Sequence, residues 1–460
     1  MLDPIANLNL SFLNHLDKNK TNAIRQLEFL NTFLVTNRCT FGGQPMPSLL
    51  KPNFVSRKQT QALIYAVEKI STALIKFINL YLNNDEVKEI MNFSNKEDQL
   101  FRIDPGYNIP LVISRLDAFL QDYSIKFLEF NCDSPAGHAY SDVMEDGFKK
   151  LFHEYDFLDQ WEIEYFKRQD RLLNALLTCY NEFRNHSTRL PSKPVIAIVD
   201  WDDVSTLSEF YMLQKYFGDK GFKTVVSSPL NIRIKNNGKI FAGDDEVHLI
   251  YKRVITGELF NRWDEVDQFI QSIKEGLVCC CNSFRSYIVG NKKVLSVISD
   301  PRFQHIYSKE ELNVIKKTIP WTKILSDTKE TFKNINVHLK DFIIENKDIL
   351  VLKPANLYGG KDVYLGRETD EKTWSEIMHA HLYDSSWVVQ EYVDIPQDIF
   401  PEISDDVRLK FKKVNINPFA FLGKYSGTIT RVSDNSVINV SAGGGLVPTL
   451  CVARKKERLT

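Results

Sequence analysis

At 460 residues the chain can hold two or three domains with buried cores, and its 43% hydrophobic and 25% charged residues are ordinary for a globular protein. A formal net charge of −1 excludes the basic field on which a nucleic-acid binder relies. Seven cysteines without an even framework of spacings point to free thiols in a reducing, cytoplasmic setting.

The first ten residues, MLDPIANLNL, lack the positive and apolar regions of a signal peptide, and none is expected. Residues 1–105 read as an N-terminal helical region. Within it Ile64, Val67, Ile70, Leu74, Ile78 and Tyr81 recur at helical spacing. Glu68, Lys69 and Lys76 interrupt the same stretch, so it is not expected to span a membrane. Gly42-Gly43-Gln44-Pro45-Met46-Pro47 is a loop of turn formers.

Residues 106–189 open on a hairpin pattern, LVISRLDAF and IKFLEFN around a QDYS turn, followed by helical segments from about 140 to 185. Arg115 and Asp117 share one strand face, as do Glu129 and Asn131. If the strands pair in a suitable register, two carboxylates and an amide oxygen gather beside a guanidinium. Magnesium favours such hard oxygens and completes its shell with water and phosphate. The same alternation also suits a half-exposed strand with no ligand.

Residues 190–290 alternate strand and helix: VIAIVDW, LSEFYMLQKYFGDKG, FKTVVSSP. That order suggests a small parallel α/β layer. Asp200-Trp201-Asp202-Asp203 at a strand end allows a second reading, a metal-dependent glycosyltransferase, although such carboxylates are also ordinary helix caps. Cys279 to Cys281 are expected as small core residues of a strand, since neighbours on an extended chain face opposite ways.

Residues 291–460 carry a second informative block. In VLKPANLYGGKDVYLG a strand ends at Lys353, and a turn with Gly359, Gly360 and Lys361 can bring backbone amides and a positive charge to phosphates. WVVQEYV is an apolar strand with Gln390, Glu391 and Val393 at its end, where backbone groups can meet an adenine edge. RVSDNSVINVSAGGG ends in three glycines suited to a loop beside a ligand.

Taken together, R-x-D…E-x-N at 115–131, VLKPANLYGGKDVYLG, WVVQEYV and RVSDNSVINVSAGGG resemble the circularly permuted ATP-grasp family, including the synthetase portion of glutathionylspermidine synthases. The metal motif precedes the lysine and adenine segments, the order of the permuted branch. The resemblance implies an α/β fold with α+β elements, namely a permuted ATP-grasp core, a pre-ATP-grasp α/β domain at 190–290 and the N-terminal helices. It assigns Asp117, Glu129 and Asn131 to magnesium, two ions, and Arg115 to the transferring phosphoryl group. ATP is held by Lys353 and the 359–361 loop, with Lys293 a further contact, while Gln390, Glu391 and Val393 line the adenine hinge. Arg431, Asn439, Gly443, Gly444 and Gly445 face the phosphates or the acceptor.

The implied activity is an ADP-forming carboxylate–amine ligase working through an acyl phosphate on small-molecule or peptide substrates. No membrane or nucleic-acid partner is implied. Asp362 departs from the glycine common in relatives at that place. A non-catalytic nucleotide-binding scaffold is the competing reading.

Overall fold

A computed structural model describes residues 4–46, 49–185, 189–235, 237–438 and 444–455. Helix Arg57–Asn83 carries the N-terminal apolar stripe. It starts at a reciprocal cap: Ser56 Oγ accepts from Gln59 N, and Gln59 Oε1 accepts from Ser56 N at 2.9 Å. The buried stripe runs through Leu63, Val67, Ile70, Leu74, Phe77, Ile78 and Tyr81, with Ile64 only half-buried at its margin. Burying each large aliphatic side chain contributes about 1.5–3 kcal/mol.

The element on which the site is built is an eight-stranded sheet. Along its main path lie Asn53–Ser56, Gly445–Arg454, Lys424–Ser433, Val407–Phe421, Ile113–Gln121 and Ser124–Asn131. Gln397–Ile403 and Trp161–Glu164 pair onto it from the side. The strands of the expected hairpin are therefore paired with each other, and the first of them also with a ribbon almost 300 residues later in the chain. Strand Trp161–Glu164 and two short 3₁₀ turns interrupt a stretch that sequence periodicity reads as helical from 140 to 185.

Two smaller sheets flank it. Cys279–Cys281, Leu249–Lys252, Ile196–Val199 and Thr224–Ser227 form a four-stranded sheet, wholly parallel. Here Cys279 and Cys281 face one core cluster and Cys280 the other, as an extended chain requires. The other sheet is antiparallel, ordered Thr322–Ile324, Trp387–Glu391, Leu350–Pro354, Tyr364–Leu365. Among the described residues no helix is long and apolar enough to cross a membrane.

Candidate functional site

The turn at Asp122 and Tyr123 joins Gln121 to Ser124 and sets the hairpin register: Ala118 lies opposite Phe127 and Phe119 opposite Lys126. Carried on without change, that register would place Asp117 opposite Leu128 and turn Glu129 and Asn131 to the other face. A β-bulge between Asp117 and Ala118 prevents this. Beyond it Asp117 faces Glu129 and Arg115 faces Asn131, so all four side chains share one face. The extra residue, Leu128, turns its carbonyl outward, and Lys353 Nζ donates to it at 2.9 Å. One irregularity thus creates the polar face and anchors it to the neighbouring sheet.

A cavity of about 500 Å³ opens at this junction, within the usual range for a small-molecule site. Arg115, Asp117, Glu129, Asn131, Lys353, Gly359, Gly360, Gln390, Glu391, Val393 and Arg431 all line it. Lys361 is exposed and outside the lining. Lys293 is also outside: its Nζ donates to the Met91 carbonyl at 2.8 Å. Its neighbour Lys292 instead reaches Glu129 Oε2 at 3.2 Å and donates to the Leu357 carbonyl at 2.6 Å. NKKVLS offers two adjacent lysines, and only the start of the helix at Lys293 decides which one turns toward the site. Gly444 is buried and Gly445 half-buried, neither of them on the lining; Asn439 and Gly443 lie outside the described residues.

Asp117 is paired with two arginines. Arg115 Nε donates to its Oδ1 at 2.9 Å, and Arg431 donates to its Oδ2 at 3.0 Å. Both oxygens therefore hold arginines in place. Glu129 and Asn131 are differently placed. Asn131 turns its NH₂ toward Glu129 Oε1 at 3.4 Å, and its Oδ1 accepts no hydrogen bond from the described residues. A carboxylate beside an unengaged amide oxygen fits one small hard cation, with phosphate and water completing the shell.

Charge and burial compete at this face. Burial would raise Glu129, but Lys292, Lys353 and Arg431 outweigh it and hold the carboxyl down to about 2. Burial, reinforced by Lys292, lowers Lys353 to about 7 against the opposing pull of Glu129. Lys353 Nζ also donates to Gln390 Oε1 at 2.8 Å, and Gln390 in turn donates to Thr322 Oγ1 at 2.9 Å. With two protons engaged, an ammonium here keeps one for a ligand. The amides of Glu391 and Tyr392 bond the carbonyls of Trp321 and Ile349 at 2.7 and 2.8 Å. Val393, also on the lining, carries the first backbone N–H past the strand with no partner among the described residues.

Sequence reasoning passed over Asn415, whose Nδ2 donates to the Ala118 carbonyl at 3.0 Å and which lines the cavity from the long ribbon. Asp200, Asp202 and Asp203 are not on the cavity, and Asp200 Oδ1 accepts from the adjacent Trp201 N–H as a turn cap does.

No protein-family model matches the chain, and no curated protein matches it. Among solved structures, a glutathione synthetase-like effector from Globodera pallida, in its apo form, is similar over 94% of this chain and 97% of its own. The TM-score is 0.63 at 11% identity. A Methylobacillus flagellatus protein provisionally assigned as a gamma-glutamylcysteine synthetase covers 88% and 89% at 10% identity, with a TM-score of 0.42 too low to carry an argument. The chain thus has a glutathione synthetase-like fold of mixed helix and sheet.

Proposed function

We propose that this chain is an ATP-dependent carboxylate–amine ligase of the circularly permuted ATP-grasp kind. The observation that carries this reading is the bulged hairpin, which brings Arg115, Asp117, Glu129 and Asn131 to one face and Lys353 against it.

In this reading adenine lies against the end of the Trp387–Glu391 strand, its edge meeting the Val393 amide. Lys353 and the Gly359–Gly360 turn hold the phosphates. Glu129 and Asn131 would hold magnesium, which supplies charge neutralisation on the phosphate oxygens when bound. Arg115 and Arg431, fixed by Asp117, orient the substrate carboxylate toward the γ-phosphoryl group. A carboxylate oxygen takes that group, ADP leaves, and an amine then displaces phosphate from the acyl carbon to give the amide. Positioning and charge stabilisation suffice for this chemistry, and no protein nucleophile is needed. Cys132 fits that economy: burial pushes its thiol well above the usual range and keeps it protonated.

ADP release from Mg-ATP, measured against a panel of carboxylates and amines, tests the reading. Substrate-dependent release should fall by about 10²-fold or more in Glu129→Gln, the scale of losing one electrostatic contact to a transition state. Nucleotide binding without turnover under any pair would favour the scaffold reading, and no ATP binding would end both.

A further inference from the structure

The cavity has a second end, lined by elements other than the one that carries Lys353. It is built from the hairpin of Thr40–Phe41 and Gln44–Pro45, the loop leading into helix His138–Leu151, and the turn before helix Leu207–Asp219. These are tied together: Gly42 N donates to the Ser205 carbonyl at 3.0 Å, and Tyr140 Oη lies 2.8 Å from Ser208 Oγ. The surface they present is Phe41, Met46, Tyr140, Ser205 and Thr206, joined by Leu446 of the sheet strand Gly445–Arg454. None of these side chains is charged.

The charged groups nearby are already engaged. The first-turn amides of Gly137 and Ala139 could have received an anion, but the buried carboxylate of Glu209 accepts from both, at 2.9 and 3.0 Å. Asp133, on the lining, accepts from Lys252 at 2.6 Å and from Thr256 N at 2.6 Å. Asp203, just before the turn, is exposed and off the lining.

We propose that this end receives the body of the carboxylate substrate, and that this body is uncharged: an alkyl or aryl group, with at most a hydroxyl to meet Ser205 and Thr206. The assignment rests on the ligase reading, which places the reacting carboxylate at Arg115 and Arg431. A second carboxylate or an ammonium at the far end would be desolvated against Phe41 and Met46 without a counter-charge. Amino-acid, peptide and polyamine ends are thereby disfavoured.

A matched series tests it: hexanoate, 6-aminohexanoate and hexanedioate, equal in carbon number and different in the distal group, which is uncharged, cationic or anionic. Binding is measured calorimetrically to the full chain with magnesium and a non-hydrolysable ATP analogue. Hexanoate should bind at least about tenfold more tightly than either charged acid, a difference of about 1.4 kcal/mol. In Phe41→Asp, a change at a half-exposed hairpin position, the preference should turn toward 6-aminohexanoate. Equal or tighter binding of a charged acid to the unaltered chain overturns the proposal, as does no binding of hexanoate. ADP release with hexanoate and an added amine is read separately: binding of hexanoate without release sinks the ligase reading and leaves the uncharged-body selectivity standing.

Discussion

Lys353 offers a quantitative handle on the proposed nucleotide site. Burial and Lys292 bring its ammonium down to about 7, so at pH 8 it is roughly nine-tenths neutral in the free protein. A triphosphate bound beside it favours the charged form and raises the pKa again. Binding at pH 8 should therefore take up most of a proton, and progressively less as pH falls through about 7. At pH 8 the triphosphate is already deprotonated and adds no uptake of its own. The sign for affinity follows: binding weakens as pH rises past 7, approaching about tenfold per pH unit until the pKa of the complex is reached. The sign for folding is the reverse, because the folded pKa lies below the ordinary 10.5. Between those values the unfolded chain holds more protons, and this group's contribution to stability rises with pH. Calorimetric titration with an ATP analogue in Tris and in Hepes at pH 8 reads the uptake from the difference in heats. Equal heats in the two buffers, or the same uptake in Lys353→Met, would refute the assignment.

Asn282 ties the parallel sheet to both ends of the hairpin, accepting from the amides of Val112 and Ile113 and donating to the carbonyls of Ile113 and Cys132. Asn282→Ala strands those groups in the core and should cost about 3–5 kcal/mol, seen as a lower denaturant midpoint. Gly360 has φ +72° and an added Cβ would lie 2.4 Å from Val437 Cγ1. Gly360→Ala should leave the melting temperature within a few degrees while weakening nucleotide binding about tenfold or more, measured by titration. Arg168 is fully buried between Asp142 and Glu145, at 3.1 and 2.7 Å. Arg168→Leu leaves both acids unpaired and should destabilise the fold by about 3–5 kcal/mol, recovered in part as pH falls, because Glu145, raised by burial to about 7 even with Arg168 beside it, is raised further without it and takes up a proton.

The parts of the site that local patterning governs were legible in the sequence. Alternation put Arg115 with Asp117 and Glu129 with Asn131, and a strand ending at Lys353 followed by Gly359 and Gly360 was readable from composition. Whether the two pairs would face each other was not, because that depends on one bulged residue, Leu128, in a run where LEFN reads as unbroken alternation. The ribbon from Val407 to Ser433 was the largest omission. Its Asn415, Asn417 and Pro418 disguise a continuous pair of strands, and Pro418 is tolerated where the register shifts before Ala420. Lys292 and Lys293 show a third limit. Composition gives the same chemistry to both, and a rotation of about 100° between adjacent residues at a helix start sends one to Glu129 and the other to Met91.

The order of strands in the large sheet also bears on how the protein is made. The hairpin with Asp117 and Glu129 leaves the ribosome long before its neighbour Val407–Phe421, and Asn53–Ser56 waits longer still for Gly445–Arg454. At ordinary bacterial or eukaryotic synthesis rates the hairpin's open edge persists for roughly 15 to 60 seconds. Throughout that time its unpaired backbone groups can recruit any other extended chain. The cavity therefore forms only once Val407–Phe421 and the strands after it have emerged, and yield in the cell depends on how well that edge is shielded by chaperones until Val407–Phe421 pairs with it.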